Sequence, residues 1–178
     1  MMLIRREQPA DHRAVHALHV AAFTVDPVTG AVRGPDGVPE AALVDELRED
    51  VGFLPHLSLV AVDDDVVIGH VMATRGWLEP LALPALGLGP LGVLPGRQNA
   101  GVGSALVHAV LVVAEAAGER VAVLLGAPAY YRRFGFVRST ALGIEPPDPS
   151  WREYFQARML SGTPVGGTFR YAEPFDRL

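Results

Sequence analysis

Leu86-Gly-Leu-Gly-Pro-Leu-Gly-Val-Leu-Pro-Gly-Arg-Gln-Asn-Ala-Gly-Val-Gly-Ser-Ala-Leu106 is the stretch whose reading decides the fold. An apolar run from Leu88 to Leu94 stops at Pro95, which cannot donate a ladder hydrogen bond. A tight polar loop, Gly96 to Ala100, follows, and Gly101-Val102-Gly103 then leads into a long apolar segment. Strand, glycine loop and helix start together make a seat for an anion. The first N–H groups of a helix lack internal partners, and its dipole is positive there. Glycine at 101 and 103 lets the backbone approach a bulky ligand. Two common phosphate loops are excluded. A Walker loop needs Gly-Lys-Ser/Thr, and no Lys stands here. A dinucleotide loop needs a third glycine where Leu106 stands, and an acidic residue ending the next strand, whereas Glu119 precedes that strand.

The stretch resembles the acetyl-CoA signature of the GNAT superfamily of N-acetyltransferases, Gln/Arg-x-x-Gly-x-Gly/Ala after a Val-x-Pro strand end. Val93-Leu94-Pro95 and Gln98-Asn99-Ala100-Gly101-Val102-Gly103 match it in order. A second signature, Tyr-x-x-x-Gly-Phe, matches Tyr131 to Phe136. The resemblance implies an α/β (α+β) fold with a central mixed, mostly antiparallel sheet flanked by helices. In that fold the fourth and fifth strands run parallel and splay apart. It further implies pantetheine on the backbone of Leu91 and Val93. Pyrophosphate would rest on the N–H groups of Gln98, Asn99, Ala100, Gly101, Val102, Gly103 and Ser104.

The 178 residues are read as one domain, 1–178, with enough chain for a sizeable core. Hydrophobic residues make up 49% and the mean hydropathy is +0.24, which is a globular composition. A net charge of -5 gives no basic footprint for nucleic acid. Without cysteine there is no thiol nucleophile, disulfide or thiolate metal site. The start of the chain has no apolar core of a signal peptide, and no apolar run is long enough to span a membrane. A soluble cytoplasmic protein is the expectation.

Along the chain, Met2 to Arg6 reads as a first strand and Ala10 to Phe23 as a helix. His12, His16 and His19 share much of one helix face. No carboxylate is spaced to complete a metal site, so the face is read as solvated and no metal is expected. Thr24 to Pro39, rich in Gly and Pro, reads as an irregular loop, and the resemblance makes it a lid on the acceptor side. Glu40 to Asp50 reads as an amphipathic helix, with Leu43, Val44 and Leu47 inward and Asp45, Glu46, Arg48 and Glu49 outward. Leu57 to Val62 and Val66 to Thr74 form a hairpin around Asp63-Asp64-Asp65, a solvated tip rather than a cation site. His70 reads as a satisfied core histidine, or as one beside a ligand cleft.

Ser104 to Ala117 reads as a helix so apolar that it is largely buried, ended by Gly118. Val121 to Leu125 reads as a strand covered on both faces, parallel to the one before the helix. Ala129 to Phe134 reads as a short helix. Tyr130 and Phe134 share its core-facing side, and Tyr131 is turned ~100° away, toward the cleft. Phe136 to Gly143 reads as the next strand. Tyr154 to Leu160 and Thr168 to Tyr171 read as a closing pair of strands.

The resemblance implies direct attack of a neutral amine on the thioester of acetyl-CoA, with Tyr131 as the acid that protonates the thiolate. A phenol with pKa near 10 can donate to a thiolate whose conjugate acid lies near about 8.5. For the base, Glu79, His70 and a water relay stay open. The expected partner is a small-molecule amine, and a homodimer is compatible. The alternatives are a lysine or N-terminal protein acetyltransferase and a non-catalytic acyl-CoA-binding module.

Overall fold

The computed structural model describes residues 1–25, 30–34 and 38–177. In order the chain forms β1 (Leu3–Arg6), α1 (His12–Phe23), α2 (Pro39–Glu49), β2 (Ser58–Asp63), β3 (Val66–Glu79), β4 (Leu83–Val93), α3 (Val102–Ala116), β5 (Val121–Leu125), α4 (Pro128–Tyr131), β6 (Val137–Arg138), β7 (Ile144–Glu145), β8 (Phe155–Met159) and β9 (Gly167–Arg170). The strands of the described residues make one sheet in the order β1-β2-β3-β4-β5-β8-β6. β9 pairs with the far end of β3, through Trp77, Leu78 and Glu79, and β7 pairs with β9. The pairs are antiparallel except β4 with β5 and the short β7 with β9.

The parallel pair is brief. Leu86 faces Ala122 and Gly87 faces Val123, and there the register ends, although β4 continues to Val93 and β5 to Leu125. The two strands therefore part, which is the mixed sheet with a splayed pair expected from the sequence.

Alternation along β3 decides which helix covers which face. Val71 and Ala73 join the cluster beneath α3, where Val102, Leu106, Val107, Val110, Leu111 and Ala114 are buried. His70 and Met72 turn to the other face, where Met72 packs with Val15 of α1 and with Leu43, Val44 and Leu47 of α2. A third cluster, with Phe155 and Phe169 at its centre, closes the sheet around the near halves of β4 and β5.

Several sequence expectations need correction. α3 begins two residues earlier than expected, and only one face of it is buried; Val112 is 63% exposed on the other. Apolar content alone does not report coverage, because among the described residues no second layer covers the Val112 side of α3. Residues 136–143 hold only the two-residue β6 and a 3₁₀ turn, Ser139–Leu142. Phe136 and Ser139 are buried and Val137 and Arg138 exposed, so the run lacks the alternation a strand needs. β8 and β9 exist but are not partners: β8 pairs with β5 and β6, β9 with β3 and β7. The 24–39 loop is not wholly irregular, since Val25 and Val32 form an antiparallel bridge. Residues 26–29 and 35–37 of it lie outside the described residues. Arg48, expected outward, has a side chain 4% exposed and paired with Glu7 at 2.6 Å.

Close packing of β9 on β3 gives a direct test. A Cβ at Gly76 would lie 2.3 Å from Phe169 Cζ and 2.9 Å from the Arg170 carbonyl, and backbone cannot swing away as a side chain can. Gly76→Ala should cost about 1–3 kcal/mol, the usual range for overpacking. Urea titration should show a lower midpoint with an unchanged m-value.

Candidate active site

Where β4 leaves β5, one edge of β4 loses its partner. The Leu94 N–H donates to the Ile68 carbonyl at 3.0 Å, on the β3 side. Backbone groups alternate between edges, so Leu91 and Val93 turn theirs to the opposite, open edge. There the Val93 carbonyl accepts from Gln98 Nε2 at 3.2 Å. Past Pro95 the chain makes a 3₁₀ turn, Pro95–Arg97, and runs through a fully exposed loop into α3. Asn99 has φ +60° and Gly101 φ +85°, a conformation in which glycine is unstrained. A Cβ at Gly101 would meet no protein atom within 4 Å. Among the described residues, the N–H groups of Asn99 through Ser104 donate to no backbone carbonyl, and Ala105 is the first to bond, to Gly101 at 2.9 Å. This cradle of N–H donors at a helix start, beside an open strand edge, suits a pyrophosphate with a peptide-like tail.

Across the parting strands, β5 ends at Leu125 and Gly126-Ala127 leads into α4. Gly126 is required at this position: a Cβ there would lie 2.3 Å from Tyr131 Cε2. Tyr131 is seated on that glycine, half-buried, with its ring edge-on to Phe136 at 6.0 Å and to Tyr130 at 4.9 Å. Burial, and secondarily Tyr130, pushes the Tyr131 phenol well above its ordinary value, so it stays protonated. Tyr130 does pack on Phe134 at 5.4 Å, as its spacing implied. Its hydroxyl, however, lies only 3.0 Å from where a Gly103 Cβ would stand, so Tyr130 also reaches the first turn of α3.

On the other face of the sheet the histidines separate. His16 is exposed and bonded to Asp45 at 2.6 Å. His19, read as solvated, is fully buried, and its Nε2 lies 2.8 Å from His70 Nδ1. At ~100° per residue His19 lies closer to the buried Val15 than to His16, so it falls inside the covered stripe. Among the described residues no group of three or more acidic or histidine side chains could hold a metal. His70 is a satisfied core histidine, with its Nε2 3.0 Å from Ser58 Oγ, so both its ring nitrogens are engaged. Glu79 sits at the end of β3, paired with Arg170 at 2.9 Å.

Residues 12–136 match the model of the Acetyltransferase (GNAT) family. The chain is 34% identical to the uncharacterized N-acetyltransferase YhbS of Escherichia coli K12 over 99% of this chain and 100% of that protein. The chain belongs to the GNAT acetyltransferase family. It is an acetyl-CoA-dependent N-acetyltransferase. The crystal structure of E. coli YhbS in complex with CoA superposes with a TM-score of 0.86 at 31% identity, covering 99% of this chain and 92% of that one. A GNAT acetyltransferase from Brucella melitensis in complex with acetyl-CoA gives 0.79 at 32% identity, covering 99% of both chains. No helix of the described residues is long and apolar enough to cross a membrane.

In this acetyltransferase the two signatures do come together, one on each side of the splay. Sequence reasoning missed Gly126, His19 and Glu7. Gly126 carried a signal, a glycine five residues before a signature tyrosine. The others did not, because their partners lie on different elements.

The buried histidine pair makes the acetyltransferase acid-sensitive in a defined window. Burial, more than any neighbouring charge, holds His19 well below 6.5 and His70 down to about 3. Unfolded, both bind protons near about pH 6.5 that the folded chain refuses. Their contribution is therefore present above that pH and lost as pH falls toward about 3. The carboxyl groups of Asp11, Asp63 and Asp148 are held below 3.8, so their losses come later. Tm measured by calorimetry should fall between about pH 6.5 and 4. A His19→Gln/His70→Gln variant, less stable at neutral pH, should have a flatter profile there.

Proposed function

We propose that the whole chain, 1–178, is one domain that transfers the acetyl group of acetyl-CoA to the primary amine of a small molecule by direct attack. The observation that carries this reading is the juxtaposition at the splay. N–H donors from Asn99 to Ser104, which donate to no backbone carbonyl among the described residues, stand beside the open edge of Leu91 and Val93, opposite a protonated Tyr131. The N–H groups from Gln98 to Ser104 would hold the pyrophosphate, and the Leu91 and Val93 backbone the pantetheine. Gln98 would release the Val93 carbonyl as the pantetheine arrives. The CoA and acetyl-CoA bound by the relatives support the same donor position. Acetyl-CoA as donor supports a cytoplasmic site of action.

Tyr131 would protonate the departing thiolate. The burial that strengthens the phenol's hold on its proton also raises the proton affinity of a desolvated thiolate, so the transfer stays near balance. A small acceptor is favoured by the segment after α1. It turns back through the Val25–Val32 bridge and is tied to α2 by Arg33 and Glu40 at 3.1 Å, and would form a rim on the acceptor side.

Acetyl-CoA should raise the Tm of the protein, as any ligand bound only by the native state does. Gly101→Val should abolish that shift, because its side chain would stand in the cradle at a φ that strains a branched residue. Tyr131→Phe should bind acetyl-CoA normally and lower kcat about 10²-fold with the best amine of a thioester-cleavage panel. Full binding by a folded Gly101→Val protein would remove the cradle from this reading. Wild-type kcat in Tyr131→Phe would remove the acid.

A further inference from the structure

Behind β4, five buried side chains stand in line. Arg48 Nη2 donates to Glu7 Oε1 at 2.6 Å. Ser58 Oγ donates to Glu7 Oε2, also at 2.6 Å, and lies 3.0 Å from His70 Nε2. His70 Nδ1 in turn lies 2.8 Å from His19 Nε2. Proton positions follow from the carboxylate end, because an ionised carboxylate only accepts. Ser58 gives its one proton to Glu7, so it accepts from His70 Nε2–H. His70 Nδ1 is then a bare lone pair and accepts from His19 Nε2–H. His19 Nδ1 is left as an unprotonated acceptor, fully buried and, among the described residues, without a hydrogen-bond partner. Such an atom is costly unless something comes to use it. It lies against β4, since a Cβ at Gly92 would be 2.9 Å from it, and Gly92 sits between Leu91 and Val93. Phe23, the last residue of α1, stacks on the His19 ring at 5.8 Å, and the chain continues from there into the acceptor-side rim.

We propose that His19 Nδ1 takes the proton of the acceptor's ammonium group and that His70 and Ser58 pass it on to Glu7. The inference rests on the acetyl-transfer reading above. An N–H bond of the ammonium breaks and one forms at His19 Nδ1. The His19 Nε2 proton moves to His70 Nδ1, the His70 Nε2 proton to Ser58 Oγ, and the Ser58 proton to Glu7 Oε2. The line starts with one negative charge and ends neutral, and the amine keeps the lone pair that attacks the thioester. Acetylation of an ammonium releases one proton overall, and this is the proton lodged on Glu7 until the line resets to solvent.

The surroundings fit a relay better than a single base. Burial opposes an imidazolium at either histidine, so a proton cannot rest there and must be handed on. When Glu7 becomes neutral, Arg48 keeps Asp45 as a partner at 2.6 Å, so its buried charge is not stranded. The charged or titratable groups facing the pair are His16 from α1, Asp11 and His12 at its start, Glu7, and Arg48 from α2. Ser58 of β2 and Gly92 of β4 add no charge. His19 is the catalytic residue of this step; His70, Ser58 and Glu7 act through it.

Ser58→Ala cuts the line with the loss of one oxygen. Its kcat with the best panel amine should fall about 10²-fold, with acetyl-CoA affinity unchanged. That deficit should shrink as pH rises toward the amine's own pKa, because solution then supplies neutral amine. Glu7→Gln should behave alike. A deficit constant with pH, or none in either variant, overturns the relay. Nitrogen-15 NMR of labelled histidines, assigned with His19→Gln and His70→Gln, reads the same line without an acceptor. Both rings should be neutral Nε2–H tautomers from about pH 5 to 8. A proton on Nδ1 of His19 in the free protein overturns the proposal. If wild-type protein fails to bind acetyl-CoA, the acetyl-transfer reading falls instead, which the binding measurement tells apart.

Discussion

β4 is hydrogen-bonded to β3 along its length, yet keeps β5 as a neighbour only at Leu86 and Gly87. That one-sided pairing is the constraint on which the rest of the molecule depends. A sheet edge in the middle of a protein leaves polar backbone without partners, which is costly unless a ligand satisfies it. β3 makes the arrangement stable by running fourteen residues and pairing with β2, β9 and β4, so β4 is anchored without help from β5. β5 is held from its far side instead, by all five residues of β8. With each of the parting strands anchored outward, the gap between them can stay open.

Glycines along this gap are set by what lies against them. Gly126 yields to the ring of Tyr131, Gly92 to His19 and Leu18, and Gly103 to the hydroxyl of Tyr130. Gly101 is different, because nothing approaches it and its left-handed φ is what turns the chain into α3. The same residue type thus serves two physical purposes within one cleft, close approach and backbone reversal.

The two faces of the sheet divide the work. Below α3 the packing is apolar, with polar groups at the two ends of the helix: the N–H donors at its start and the Arg75–Glu119 pair, at 2.6 Å, just past its end. Between the sheet and α1 and α2, a charged and hydrogen-bonded line runs from exposed His16 and Asp45 through Arg48 and Glu7 to the histidine pair. A buried ion pair such as Arg48 with Glu7 adds little net stability. Its value lies in holding a specific arrangement of polar groups next to β4.

The sequence by itself determined the family, the order of the main elements from residue 83 to 136, and the two facing signatures. Those depend on local spacing: a proline that ends a strand, glycines before an apolar helix, and a tyrosine four residues before a glycine. It left His70 as either a core histidine or one beside a ligand cleft, and the contacts with Ser58 and His19 settled the first. The tertiary structure alone decided that β8 and β9 part company, because strand partners are chosen by long-range packing rather than by either strand's composition. It alone decided that His19 and Arg48 are buried. Each lies at the edge of its helix's polar face, and only a partner from another element, His70 for one and Glu7 for the other, makes burial of that edge affordable. Helical periodicity sees one helix at a time, and so reads such border positions as solvent-facing.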